Sequence, residues 1–144
     1  MHLESQAIHR SKSNTILVVD DDPDIRSLTR TFLEHEGYHV YTSGDVNRAA
    51  QIFRRAPRID LLITDYSMPH RSGMDLAHEL KSIDPSLPIL IISGIFLASD
   101  QLARMQAEGW SFLAKPFSLP RLLSTVHEIL EPVQLKDASA TLGR

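Results

Sequence analysis

Four short apolar runs punctuate the chain, and each ends on a polar residue: two on aspartate, one on serine and one on lysine. Ile16-Leu17-Val18-Val19 leads into Asp20-Asp21-Asp22, and Leu61-Leu62-Ile63-Thr64 ends at Asp65. Ile89-Leu90-Ile91-Ile92 ends at Ser93, and a weaker run, Trp110 to Ala114, ends at Lys115-Pro116. Runs that are continuous rather than alternating suit parallel strands covered by helices on both faces. Between them the apolar spacing changes to helical. Asp22-Pro23 predicts an N-cap and first helical residue, followed by Ile25, Leu28, Phe32 and Leu33, with Gly37 as the stop. Tyr38 to Thr42 alternates and predicts a short edge strand. Val46, Ala49, Ala50 and Phe53 mark a second helix ended by Pro57. After a loop from Tyr66 to Gly73, Leu76, Ala77, Leu80 and Ile83 mark a third. A fourth, about Ser99 to Glu108, has only the thin stripe Leu102 and Met105, which predicts weak docking and mobility. The fifth starts near Ser118 and carries Leu119, Leu122, Leu123, Val126, Ile129 and Leu130.

A strand–helix unit repeated five times implies right-handed crossovers and an α/β fold, a doubly wound five-stranded parallel sheet with helices on both faces. The flavodoxin-like strand order 2-1-3-4-5 sets strands one and three side by side, and ligands of such sheets bind beyond the carboxyl ends of the strands. Residues 1–13 read as a flexible polar arm, 14–131 as the folded domain and 132–144 as a short tail.

Composition narrows the function. A net charge of −3 over 144 residues offers no field for a polyanion, so direct nucleic-acid binding is not expected. Cysteine is absent, which excludes disulfides and thiol chemistry. The polar start lacks the apolar stretch of a signal peptide, and Leu87 to Ala98 is too short to cross a bilayer. A cytoplasmic protein without membrane attachment is the expectation.

The strand ends carry the chemistry. Taken singly, each has an ordinary explanation: Asp22 as a helix cap, Asp65 as a turn residue, Ser93-Gly94 as a loop, Lys115-Pro116 as a strand exit. Together, on one rim, they form a site. Carboxylates ~5 Å apart at an effective dielectric of ~20 repel by roughly 3 kcal/mol per pair, and Lys115 supplies only one positive charge. A hard divalent cation with oxygen ligands, Mg2+ best of all, is the natural remedy. Metal, amine and hydroxyl around Asp65 would suit phosphoryl oxygens, with the Asp65 carboxylate as nucleophile.

Ile16 to Pro23, Asp65-Tyr66-Ser67-Met68-Pro69 with Gly73, Ile92-Ser93-Gly94 and Lys115-Pro116-Phe117 resemble the receiver domain of bacterial two-component response regulators, over about residues 14 to 131. The resemblance implies that Asp65 accepts phosphate from a histidine of a sensor kinase or phosphotransfer protein. Asp21 would ligate Mg2+ directly, Asp20 partly through water, and the Ser67 backbone carbonyl would join them with Asp65. Lys115 would pair with the phosphoryl group, and its peptide bond to Pro116 would be cis. Ser93 would move to the phosphoryl oxygen, with Phe112 turning inward behind it. The fourth helix, fifth strand and fifth helix would form the surface read by an unknown protein target. Phosphorylation-dependent dimerisation stays open. The same resemblance implies a self-phosphorylating and autodephosphorylating switch that turns over no external substrate, and the tail after Glu131, too short for a second domain, makes a single-domain receiver the expectation. Phe112 in place of a frequent tyrosine, Ser67 in place of a frequent asparagine, Ile95 near Ser93 and the bulky Trp110 depart from the common pattern.

Two alternatives stand beside this reading. One is a receiver fragment of a hybrid histidine kinase. The other is an aspartyl phosphohydrolase of haloacid-dehalogenase type, which would use Asp20 and Asp22; Pro23 opposes it by forcing Asp22 into capping geometry. Of the seven histidines no pair has a zinc spacing with a third ligand, and only His70, in the loop after Asp65, lies near the site. Ile95-Phe96-Leu97 reads as half-buried loop packing or a docking patch.

Overall fold

Leu61, Leu62 and Ile63 are successive residues of one strand, and none is more than 1% exposed. Since neighbouring side chains on a strand point to opposite faces, this requires a sheet buried on both sides. The computed structural model, which describes residues 13–94 and 97–131, has that architecture. Strands β1 (Thr15–Val19), β2 (His39–Ser43), β3 (Leu61–Asp65), β4 (Ile89–Ser93) and β5 (Ser111–Ala114) form one sheet in the order β2-β1-β3-β4-β5. All pairings are parallel. The helices are α1 (Pro23–His35), α2 (Val46–Arg55), α3 (Gly73–Ile83), α4 (Ser99–Glu108) and α5 (Leu119–Leu130). The arm before Ser13, the tail after Glu131 and the Ile95-Phe96 part of the apolar loop lie outside the described residues.

Each face of the sheet has its own core. Leu17, Val19, Leu62, Ile89 and Ile91 pack with Ala49 of α2, Leu76 and Leu80 of α3 and Met105 of α4. Ile16, Val18, Leu61, Ile63, Leu90 and Ile92 pack with Leu33 of α1 and Leu122 and Val126 of α5. Fully burying a Leu or Ile side chain contributes ~1.5–3 kcal/mol, so the unbroken apolar runs are what makes two helical layers possible. The layers are unequal, for Met105 is the one fully buried residue of α4.

Local chemistry sets the element ends. Asp22 caps α1 through Oδ1, which accepts from the N–H of Asp24 at 2.9 Å and of Ile25 at 3.3 Å. Gly37 ends that helix in the left-handed region at φ 102°. Asp45 caps α2, Ser118 caps α5, and Ser72 forms a reciprocal capping box with Asp75 at the start of α3. The expected edge strand is displaced by one residue: it spans His39–Ser43, and Tyr38 turns into the core instead. Its N–H donates to the Leu33 carbonyl at 3.2 Å, which ties it to the end of α1 rather than to β1.

Candidate active site at the strand ends

Register brings the polar residues together. Val19 pairs with Thr64, so Asp20 leaves β1 beside Asp65. Asp65 pairs with Ile92, which places Ser93 one residue further along the adjacent strand. Ser93 pairs with Ala114, and Lys115 follows, its N–H donating to the Ser93 carbonyl at 2.8 Å. Four distant stretches thus end within one rim of the sheet.

The Lys115 amine sits between two carboxylates, 2.8 Å from Asp65 Oδ2 and 3.3 Å from Asp20 Oδ2. The other Asp65 oxygen, Oδ1, accepts from the Ser67 N–H at 3.2 Å, and Asp20 Oδ1 accepts from the Asp22 N–H at 2.9 Å. Burial raises the Asp20 carboxyl above its ordinary value; the Asp22 N–H and the Lys115 charge oppose the shift without cancelling it. For Lys115 burial acts downward, but the hydrogen bond to Asp65 and the charge of Asp20 outweigh it, and the amine is held above its usual range. Asp20, Asp65 and Ser93 are buried, whereas Asp21 is exposed.

Asp20, Asp21 and Asp65 each offer an oxygen, and these atoms lie within 4.8 Å of one another. Three anionic oxygens with one ammonium leave an excess of negative charge, and an all-oxygen set selects a hard dication. The donor set therefore fits Mg2+. Among the described residues this is the only such group of His, Asp and Glu side chains. Asp22 does not join it, because its carboxylate is spent on the α1 N-terminus. Ser67 is exposed in the loop after Asp65, with its backbone N–H at the pocket. Phe112 is partly buried against the core face that holds Met105 and Trp110. The Lys115–Pro116 bond is cis.

Several supporting contacts were not anticipated from the sequence. The Arg26 guanidinium donates to the Asp20 carbonyl at 2.7 Å and fixes the β1 exit. Gly73 permits a close approach: a Cβ there would run into the Asp65 carbonyl oxygen and come within 3.0 Å of the Thr64 hydroxyl. Arg71, in the loop after Asp65, donates to Asn47 at 3.2 Å and to Glu79 at 2.8 Å. Glu79 also receives Arg54 at 3.0 Å. Its carboxyl is held below the ordinary range by the Arg71 hydrogen bond first, against partial burial. Signals existed for the caps, such as Ser72-x-x-Asp75, but none for these side-chain ties across elements. His70 is exposed and left-handed, with φ 71°, a conformation for which histidine is several-fold enriched among non-glycine residues. His78 lays its ring 5.0 Å from that of Trp110, and the Trp110 Nε1 has no hydrogen-bond partner among the described residues.

Beside Lys115 and Gly94 opens an apolar groove of about 490 Å³, walled by Ile25 and Leu28 of α1 and by Phe117 and Leu119. Leu28, expected as part of the apolar face of α1, is 56% exposed there.

The strand order, the helices on both faces and the acidic pocket on the carboxyl rim define the CheY-like receiver fold. The sequence model of the response regulator receiver domain matches residues 16–127, and the chain belongs to that family. It is 34% identical over 116 residues to the "Probable transcriptional regulatory protein TcrX" of Mycobacterium tuberculosis, covering 81% of this chain and 49% of that protein. It is likewise 34% identical over 125 residues to the response regulator MprA of Mycobacterium ulcerans, covering 87% and 53%. The chain thus spans about half the length of the curated relatives it matches. Among solved structures, a response regulator receiver domain protein of Clostridium thermocellum superposes with a TM-score of 0.76 at 29% identity, covering 85% of this chain and 98% of that one. The receiver domain of the hybrid histidine kinase CckA gives 0.69 at 29% identity, with 82% and 100% covered.

Proposed function

We propose that Asp65 accepts a phosphoryl group from a phosphohistidine of a sensor kinase or phosphotransfer protein, and that the chain acts as a phosphorylation switch. The observation that carries this reading is the environment of one carboxylate. Asp65 is buried at a strand end, with an ammonium 2.8 Å from one oxygen and a backbone N–H 3.2 Å from the other. In the transfer, an oxygen–phosphorus bond forms at Asp65 as the phosphorus–nitrogen bond breaks, and the histidine, protonated on its other ring nitrogen beforehand, leaves as neutral imidazole. Lys115 is placed to stay with the new phosphoryl oxygens, and Ser93, one strand away, to hydrogen-bond one of them. Asp20, Asp21, Asp65 and the Ser67 carbonyl would hold Mg2+, which when bound offsets the negative charge gathered on the phosphoryl oxygens.

Receiver domains interact with histidine kinases or phosphotransfer proteins. The groove between α1 and Leu119 opens beside Lys115, where the donor's histidine has to arrive, and its apolar walls suit a helix carrying that residue. The readout surface is α4, β5 and α5, with Phe112 repacking between them. The receiver unit works through protein contacts, turns over no external substrate and resides in the cytoplasm. No described helix is long and apolar enough to cross a membrane. The phosphoryl chemistry is the same for a stand-alone receiver, for one joined to a DNA-binding output and for one carried in a hybrid kinase. The hydrolase alternative loses its support because Asp22 is committed to helix capping.

Incubation with Mg2+ and acetyl phosphate should add one phosphoryl group by intact mass. Asp65→Asn should abolish the addition and Asp22→Asn should retain it. The reverse pattern, or continuous phosphate release from many phosphate esters, would sink the switch.

A further inference from the structure

Tyr66 directly follows the candidate phosphoacceptor, and its phenol oxygen receives a hydrogen bond from the side-chain amide of Gln101 at 2.8 Å. The same amide turns its oxygen the other way. Gln101 Oε1 accepts from the backbone N–H of Ala98, also at 2.8 Å, at the N-cap of α4. Every other helix among the described residues is capped by an Asp or Ser side chain. At α4 the cap residue is alanine and has no side-chain acceptor for the first-turn N–H groups; the side-chain contact at this end is the reverse one, from the Ala98 N–H to Gln101 inside the first turn. The helix has little else to hold it, with Met105 buried and Leu102 only partly so.

From this we infer that Gln101 is a latch: one amide closes the α4 N-terminus and ties it to the residue after Asp65, so that a change at Asp65 is transmitted to α4. The inference rests on the phosphorylation reading and names the side chain through which that site reaches the readout surface. Three features support it. Gln101 lies thirty-five residues from Tyr66 in the chain, so the bond joins separate elements. Tyr66 and Gln101 are only partly buried, so the bond can open without exposing a core. In a marginally docked helix, one hydrogen bond is a large share of what opposes displacement. A bond made in one state and broken in the other shifts the balance between them; a bond kept in both shifts nothing.

The test is hydrogen–deuterium exchange of residues 99–108, with and without acetyl phosphate and Mg2+, in the full chain. Tyr66→Phe deletes the acceptor while leaving the ring and the Ala98 bond. It should speed exchange of α4 in the unphosphorylated protein by roughly 3- to 10-fold, the effect of one modest hydrogen bond. It should also shrink the further change caused by phosphorylation. Gln101→Glu, made with Tyr66 in place, should keep wild-type exchange, since a carboxylate still accepts from Ala98 and can accept from the phenol. Unaltered exchange in resting Tyr66→Phe, or a phosphorylation-dependent change of undiminished size, overturns the latch alone. Absence of phosphoryl uptake in the wild-type protein, read by intact mass in the same samples, overturns the functional reading and the coupling with it.

Discussion

Asp20 and Asp65 are two carboxylates that the fold withdraws from water and leaves facing one amine. Within 4.8 Å of one another, ionised Asp20 and Asp65 repel by roughly 3 kcal/mol at an effective dielectric of ~20. Lys115 offsets only part of that. The pocket is therefore a source of instability that is tolerated for its chemistry. Asp20→Asn keeps an oxygen for the Asp22 N–H while removing one charge. In metal-free buffer it should melt higher than wild type by about 3 °C, corresponding to about 1 kcal/mol in a domain of this size. Added Mg2+ should raise the melting temperature of wild type more than that of the variant, because a ligand stabilises only as far as it binds the folded state. Thermal denaturation with chelator and with Mg2+ decides this; a variant that melts lower in both removes the repulsion account.

At the level of elements, the β3–α3 connection positions the pocket. Gly73 opens α3 and its N–H donates to the Tyr66 carbonyl at 2.8 Å, while Arg71 is drawn towards Glu79 and Asn47. The start of the helix is thereby pressed against the end of β3. Gly73→Ala would push a methyl group into the Asp65 carbonyl, a backbone atom that cannot swing aside. The expected cost is ~1–3 kcal/mol by overpacking, together with slower phosphorylation by acetyl phosphate, because the displaced backbone carries Asp65. Denaturant titration and a mass time course measure the two effects. Gly94→Ala is the control: its Cβ would lie 3.5 Å from that of Lys115, an ordinary contact, and both properties should stay close to wild type.

For the whole molecule, Tyr38 joins the end of α1 to α5, its ring edge-on to that of His127 at 6.1 Å. Burial, then the charges of Glu131 and Glu36, push its phenol up to about 12. The folded state thus holds this proton more tightly than the unfolded chain does. The resulting stability is present in full below about pH 10, the ordinary tyrosine value, and is lost as pH rises towards 12. Tyr38→Phe removes that dependence. Between pH 10 and 12, wild type should lose on the order of 2–3 kcal/mol more than the variant, following ~1.4 kcal/mol per pKa unit. Equal alkaline losses in urea titrations of the two proteins would show that Tyr38 is not protected in this way.

The apolar runs and their polar ends were enough to read the strands, the sheet order and the residues on its rim. Those features are encoded by neighbours in the chain: consecutive apolar side chains need cover on both faces, and Asp-Pro or Gly decides locally where a helix starts or stops. Even the one-residue displacement of β2 is local in scale. Alternation puts Tyr38 in the strand, but its burial between α1 and α5 depends on elements that alternation cannot represent. The contacts that organise the site were of a different order. Gln101 and Tyr66 are thirty-five residues apart, Arg54 and Glu79 twenty-five, Arg71 and Asn47 twenty-four. Which rotamer a long polar side chain adopts, and which of many possible partners it meets, is set by packing after the sheet has formed. The rim's chemistry could be named from residue types in order along the chain, whereas its wiring to α4 required knowing which atoms lie three ångströms apart.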